Sequence, residues 1–187
     1  MTAPNGPAPI QPAQIRPAQI RPAQTRDVAG IRRLIDLYAP GRILLDKPTV
    51  KLYEDVQEFL VACADDGGGA VVGCGALHVM WEDLAEVRTL AVDPSVRGHG
   101  VGHRLLAELL ARARALGVRR VFCLTFEVDF FARHGFAELD GSPVEPAVYD
   151  ELLRSYDEGV AEFLGLEHVK PNILGNTRMV LELEPPA

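Results

Sequence analysis

Three glycines in five residues, Gly98, Gly100 and Gly102 of VDPSVRGHGVGHRLL (Val92–Leu106), fall where one kind of regular structure gives way to another. Before them, EVRTLAV (Glu86–Val92) has the apolar, β-branched character of a buried strand. After Gly100, Val101, Leu105, Leu109 and Leu116 return at helical spacing and place one apolar stripe, which stops at Gly117. A strand-to-helix turn of this kind leaves the first amides of the helix without helical partners and turns the positive end of its dipole outward. A phosphate is the natural guest there.

Composition narrows the setting. The 187 residues, 48% of them hydrophobic, suffice for one domain with a proper core. A formal charge of −7 argues against nucleic acid as a partner, since its binders are usually basic. No apolar run approaches the roughly eighteen residues of a membrane helix, and the N-terminus lacks the basic-then-apolar order of a secretory signal. Cys63, Cys74 and Cys123 form neither a CxxC pair nor an even set, so they read as reduced, buried thiols of a cytoplasmic protein.

Along the chain, PAQIR, PAQIR and PAQTR (residues 12–26) repeat a proline every fifth residue. That spacing blocks helix and marks residues 1–18 as a flexible tail ahead of a single domain, 19–184. Gln19–Ala23 reads as a first strand, with Thr25 capping a helix that carries Val28, Ile31, Leu34 and Ile35. A loop, a short helix near Val50–Asp55 and a strand over Glu58–Ala62 follow. The DDGGG turn (Asp65–Gly69) then leads into Ala70–Val79 as a hairpin. Beyond the long helix come a strand at Arg119–Thr125, a short helix at Val128–His134, a strand from Phe136, two short helices within 142–176 and a last strand at Thr177–Leu183. The order β-α-α-β-β-β-α-β-α-β-β predicts an α/β (α+β mixed) fold. Its mixed central sheet holds about six to seven strands, with helices on both faces.

Which phosphate ligand the turn suits follows from spacing. A P-loop needs GxxxxGK[ST], and no lysine or hydroxyl follows Gly102. A dinucleotide fingerprint needs GxGxxG, and His103 stands where its third glycine belongs. What remains is Arg97-x-x-Gly100-x-Gly102 after a strand ending Val-Asp-Pro, with IRPAQTRDVAGIRRLI ahead of it and FFARHGF after the next strand. This pattern, over roughly residues 19–183, resembles the GNAT superfamily of acetyl-CoA-dependent N-acetyltransferases. The glycines let backbone approach a pyrophosphate while amides from Gly98, His99, Gly100, Val101 and Gly102 donate to it, and Arg97 adds a forked cation. The resemblance implies acetyl-CoA as co-substrate, its pantetheine arm lying along the Leu90, Ala91 and Val92 backbone. His99 and His103 stand four apart, a spacing that can hold zinc on a helix, but no third ligand is near and no metal is expected.

Acetyl transfer to an amine needs the amine deprotonated and the departing thiolate protonated. Glu86 is the candidate base, on the strand where the resembling family often keeps one. Alternation puts Glu86, Arg88, Leu90 and Val92 on one face, so Arg88 has two readings, a pair for Glu86 or a substrate contact. Glu82 and Asp83 are the next candidates, though a solvated turn explains them better. The family's usual acid is a tyrosine on the short helix before Gly-Phe, and here that position is Phe131, which leaves the acid's role to Thr125 or to water. A helix cap is the other reading of Thr125.

The segments GGAVVGCGALHVMWEDLAEVRTLAVDP, VFCLTFEVDFFARHGF and KPNILGNTRMVLEL are similar to the short, single-domain N-acetylglutamate synthases of actinobacterial arginine biosynthesis. The resemblance implies a small-molecule substrate, L-glutamate. Its two carboxylates call for cations, for which Lys47, Lys170 and Arg178 stand at predicted pocket edges, with Asn172, Asn176 and Thr177 as neutral donors. The long synthases of that pathway add an amino-acid-kinase domain that binds arginine, and 187 residues leave no room for one. A homodimer is expected by family analogy alone. Two competing expectations stand beside glutamate: another small amine or amino acid such as glutamine, and an acetyl-CoA sensor without turnover.

Overall fold

The computed structural model describes residues 19–41, 44, 46–64, 69–139, 144–154 and 175–184. The predicted tail, most of the DDGGG turn, the second of the two helices expected within 142–176, and the candidates Lys170 and Asn172 lie outside the described residues.

Among the described residues, seven strands form one mixed sheet: β1 (Gln19–Pro22), β2 (Phe59–Cys63), β3 (Val71–Trp81), β4 (Leu84–Val92), β5 (Arg120–Thr125), β6 (Ala137–Glu138) and β7 (Thr177–Glu182). Their spatial order is β1-β2-β3-β4-β5-β7-β6. Every pairing is antiparallel except β4 with β5, which runs parallel as a strand–helix–strand crossover requires.

Helices α1 (Val28–Tyr38) and α2 (Thr49–Glu54) cover one face, where Ile31, Leu34, Ile35 and Leu52 bury against Val61, Cys74, Ala76 and Ala91. Thr25 does not cap α1. It opens a 3-10 turn, and the Asp27 carboxylate accepts the Gln24 N–H at 2.8 Å while pairing with Arg21 at 2.6 Å. The long helix α3 (Val101–Ala115) and the short α4 (Val128–Ala132) cover the other face with Leu105, Leu106, Leu109 and Phe131. Leu116 departs from the expected stripe. It falls just past the end of α3, is 55% exposed, and Ala113 takes its place in the core. Helix α5 (Pro146–Leu152) adds Leu152 to a small cluster on Leu84 and Phe122.

The close seating of α3 depends on absent side chains in β3. A methyl group built on Gly75 would lie 2.9 Å from Leu109 Cδ1, and one on Gly73 would lie 3.0 Å from Leu105 Cδ1. Glycine there lets the helix approach the strand backbone.

Candidate active site

The site begins with a break in β4. Thr89 has φ +55°, uncommon for a β-branched residue, and the β3 register steps from Cys74↔Ala91 to Ala76↔Arg88, leaving one extra residue on β4. This bulge overturns the simple alternation. Glu86 and Arg88 share the α1 side of the sheet with Ala91, whereas Leu90 and Val92 pack on the α3 side with Val87.

The bulge accompanies a parting of strands. β4 and β5 pair at Leu84↔Arg120, Ala85↔Val121 and Glu86↔Phe122, and no further pair follows. Beyond that vertex lies a cleft of about 370 Å³, walled by Val87–Val92 on one side and Leu124–Glu127 on the other. Tyr38, Leu44, Arg97, Gly102, Phe130 and Phe131 complete its lining. Glu86 is thus the last β4 residue paired with β5; it is 4% exposed and stands one residue behind Val87, where the cleft lining begins.

At the open end stands the glycine turn. Asp93 anchors it: the carboxylate accepts from Ser95 N–H at 2.9 Å and Ser95 Oγ at 2.7 Å, and it receives Arg33 Nη1 at 2.6 Å. Those bonds from Ser95 and Arg33 hold the Asp93 carboxyl down to about 2. Gly98 and Gly100 have φ +80° and +73°, the left-handed region that glycine enters without a Cβ penalty. A methyl group built on either meets nothing within 4 Å, so the turn faces open space that a ligand can enter. His99 Nδ1 lies 3.0 Å from the Arg97 carbonyl, and Val101 and Gly102 open α3. Amides of a first helical turn, left-handed glycines and the Arg97 guanidinium form a donor set that fits a pyrophosphate.

Arg97 is itself held. Its Nη2 donates to the Tyr38 hydroxyl at 3.1 Å, and that hydroxyl donates to the Val92 carbonyl at 2.5 Å. Behind the turn, His103 Nδ1 lies 2.7 Å from His134 Nε2, with both rings against Phe130. Burial, with the His103 and Arg133 charges behind it, holds the His134 imidazole below its usual range.

Two charges packed on Arg88, those of Asp55 and Glu58, were not legible in sequence. Arg88, 8% exposed, places Nη2 at 2.8 Å from Glu58 Oε2 and 3.4 Å from Asp55 Oδ2, while Nη1 lies 3.9 Å from Glu86 Oε2. Arg88 thus neighbours Glu86 and also lines the cleft. Lys51 Nζ reaches Asp55 Oδ1 at 3.0 Å. Asp55 and Glu58 stand just after α2, and the signal for them in sequence was charge directly abutting the apolar run FLVAC.

Thr125 ends β5, lines the cleft, and its Oγ1 accepts the Glu127 N–H at 2.9 Å, a turn-closing bond that leaves its own O–H to donate. Phe131 is 6% exposed and lines the cleft with an apolar edge. Among the described substrate-side candidates, Arg88 lines the cleft, and Lys47 and Arg178 stand one step back. The Lys47 carbonyl receives Arg32 Nη1, in a loop whose Leu44 does reach the cleft. Arg178 is the register partner of the cleft residue Leu124. Burial pushes the Cys74 thiol up to about 12 and raises Cys123 likewise, so neither supplies a thiolate nucleophile.

Comparison with known proteins follows this geometry. The profile of the acetyltransferase (GNAT) family matches residues 31–136. An amino-acid acetyltransferase of Mycobacterium tuberculosis is 62% identical over 159 residues, covering 85% of this chain and 91% of that protein. The crystal structure of Rv2747 from the same organism, in a complex that includes CoA, superposes with a TM-score of 0.85 at 60% identity, covering 89% of this chain and 99% of that one. An N-acetylglutamate synthase from Neisseria gonorrhoeae, complexed with coenzyme A and N-acetyl-glutamate, superposes with a TM-score of 0.70 at 26% identity. The match covers 89% of this chain and 35% of that larger one.

Proposed function

The chain belongs to the acetyltransferase (GNAT) family, and on that premise we propose that it is an amino-acid N-acetyltransferase acting on the α-amine of L-glutamate. The observation that carries the reading is the cleft itself, with Arg97 and left-handed glycines at its open end and a buried carboxylate, Glu86, one residue behind its lining. The 62% identity to an amino-acid acetyltransferase supports it across most of the chain.

Acetyl-CoA, when bound, supplies the acetyl group as a thioester. The residues of the chain do the rest. The turn from Gly98 to Gly102 and Arg97 hold the pyrophosphate, with Tyr38 fixing the guanidinium. The Leu90–Val92 backbone, freed from β5 by the parting of strands, offers an edge for an extended ligand. Glu86 takes the proton from the substrate ammonium group, because only the neutral amine has a lone pair to attack with. Thr125 Oγ1 holds a proton it can deliver to the departing sulfur. Arg88, with Lys47 and Arg178 behind it, faces the carboxylates of the amino acid.

One observation favours a second substrate. Asp55, Glu58 and Glu86 already surround the Arg88 guanidinium, so its charge is largely compensated, and a neutral side-chain amide, as in L-glutamine, fits such a wall well.

The deciding experiment mixes the purified chain with acetyl-CoA and each of the twenty amino acids, and follows CoA release with a thiol reagent. Release with glutamate above the others, lost in Glu86→Gln, supports the reading. Release with glutamine or another neutral amino acid alone keeps the acetyltransferase and removes glutamate. No release with any amino acid, despite acetyl-CoA binding, overturns the assignment in favour of a sensor or a protein substrate.

A further inference from the structure

If Glu86 takes the substrate's proton, that proton must then leave a carboxylate that is 4% exposed and stands at the last β4–β5 pair, one residue behind the cleft lining. The neighbouring strand supplies a route. His78 of β3 is the register partner of Glu86. Directly opposed residues of an antiparallel pair share a face of the sheet, with Cβ atoms roughly 5 Å apart. The His78 side chain is 20% exposed, so its ring spans from the buried cluster towards solvent.

Three further contacts define its chemistry. His78 Nδ1 lies 2.7 Å from Glu58 Oε1. Burial opposes ionisation of Glu58, but the His78 hydrogen bond and the Arg88 charge outweigh it and hold the carboxyl below its usual range. An ionised carboxylate only accepts hydrogen bonds, so Nδ1 carries the hydrogen and Nε2 holds the ring's lone pair. The groups around the ring are Glu58 from the turn after α2, Glu86 and Arg88 from β4, and, behind Arg88, Asp55 with Lys51.

We propose that His78 is the proton exit of the active site, relaying to solvent the proton that Glu86 removes from the substrate, with Glu58 as the residue that fixes the ring. The proposal rests on the reading of Glu86 as base. The transfers balance without any other reactant. The ammonium N–H bond breaks as an O–H bond forms on Glu86, and that bond breaks as an N–H bond forms at His78 Nε2. The imidazolium, stabilised by Glu58, then gives its proton to water or buffer. Glu86 returns to carboxylate and His78 to neutral imidazole. His78 acts through Glu86 and is a positioning and relay residue, not one that touches substrate.

The test uses the full chain as His78→Gln, Glu58→Gln and Glu86→Gln, with whichever amino acid supports CoA release. His78→Gln is expected to lose about tenfold in kcat, the modest part of a general-base contribution that depends on proton removal. Its KM for acetyl-CoA should stay unchanged, and its rate should climb with imidazole buffer concentration, where the wild type does not respond. Glu58→Gln should shift a limb of the kcat pH profile downward, because the imidazolium loses its neighbouring negative charge. Independently of turnover, ¹⁵N NMR of the resting protein at neutral pH should show His78 as the Nδ1–H tautomer, and the Nε2–H tautomer there would overturn the proposal. So would a His78→Gln variant with the wild-type rate and pH profile, or one whose deficit no buffer relieves. Glu86→Gln separates the two ideas. If it is inactive while His78→Gln is normal, only the relay fails, and if it keeps the wild-type rate, the base reading and the relay fail together.

Discussion

Tyr38 and Arg97, 59 residues apart in sequence, meet at the mouth of the cleft, where the guanidinium lies 5.6 Å over the ring and donates to the hydroxyl at 3.1 Å. The same hydroxyl donates to the Val92 carbonyl, so the last residue of α1, the end of β4 and the glycine turn are tied by one oxygen. Charged hydrogen bonds contribute about 1.5–3 kcal/mol each, so Arg97→Ala should weaken acetyl-CoA binding by about 10- to 100-fold. Tyr38→Phe keeps the cation and should cost about threefold. Calorimetric titration with acetyl-CoA checks both, and equal affinity for Arg97→Ala and wild type would remove Arg97 from the binding set.

Gly100 separates fold from function. Alanine at φ +73° carries a penalty of about 1–2 kcal/mol, yet its methyl group touches nothing in the protein. Gly69, at φ +62° with equally open surroundings, is the matched control. Gly69→Ala and Gly100→Ala should lower Tm by similar amounts, while only Gly100→Ala should raise the Kd for acetyl-CoA, by about tenfold or more, where backbone must meet phosphate.

Asp93 makes the turn's support pH-dependent. Its folded value is depressed to about 2 by Ser95 and Arg33, so its contribution is fully present above the ordinary carboxylate value near 4 and is lost as pH falls through about 2. Asp93→Ala should therefore destabilise the protein at pH 7, by about 1 kcal/mol on the scale of a lost cap. The difference from wild type should shrink between about pH 4 and pH 2. Denaturant melts at pH 7 and pH 3 would show it, and a gap unchanged with pH would contradict the depressed value.

Gly75 links packing to the cleft. Its added methyl group would crowd Leu109 Cδ1 at 2.9 Å and Leu90 Cδ1 at 3.0 Å, and Leu90 lines the cleft. Gly75→Ala should cost about 1–3 kcal/mol as an overpacked core. It should also weaken acetyl-CoA binding, and Leu109→Val in the same chain should recover part of the stability.

Much of this architecture was legible in sequence because it is local. A run such as EVRTLAV has to be a buried strand, apolar residues at helical spacing have to bury one face of α3, and three close glycines make a tight strand-to-helix turn with left-handed Gly98 and Gly100. Those demands are met within a few residues, and the strands and helices appear within a residue or two of where the patterns place them. The errors were local too, since Leu116 continued a period past the last helical turn and Thr25 suggested a cap that Asp27 made unnecessary.

Tertiary structure decided what lies between distant segments. Strand alternation alone put Leu90 and Val92 on the face of Glu86, and only the Thr89 bulge, set by pairing with β3, moved them to the α3 side. Only the parting of β4 from β5 after Glu86↔Phe122 made a cleft, whose lining begins at the next residue, Val87. Asp55, Glu58 and His78 carry no signal of their own in the sequence. Register brings His78 opposite Glu86, and the turn after α2 brings Glu58 to both His78 and Arg88. Local pattern fixes which elements form, because backbone geometry and periodicity act over a few residues. Which charges share a buried site depends on how whole strands align, and no window of sequence contains that.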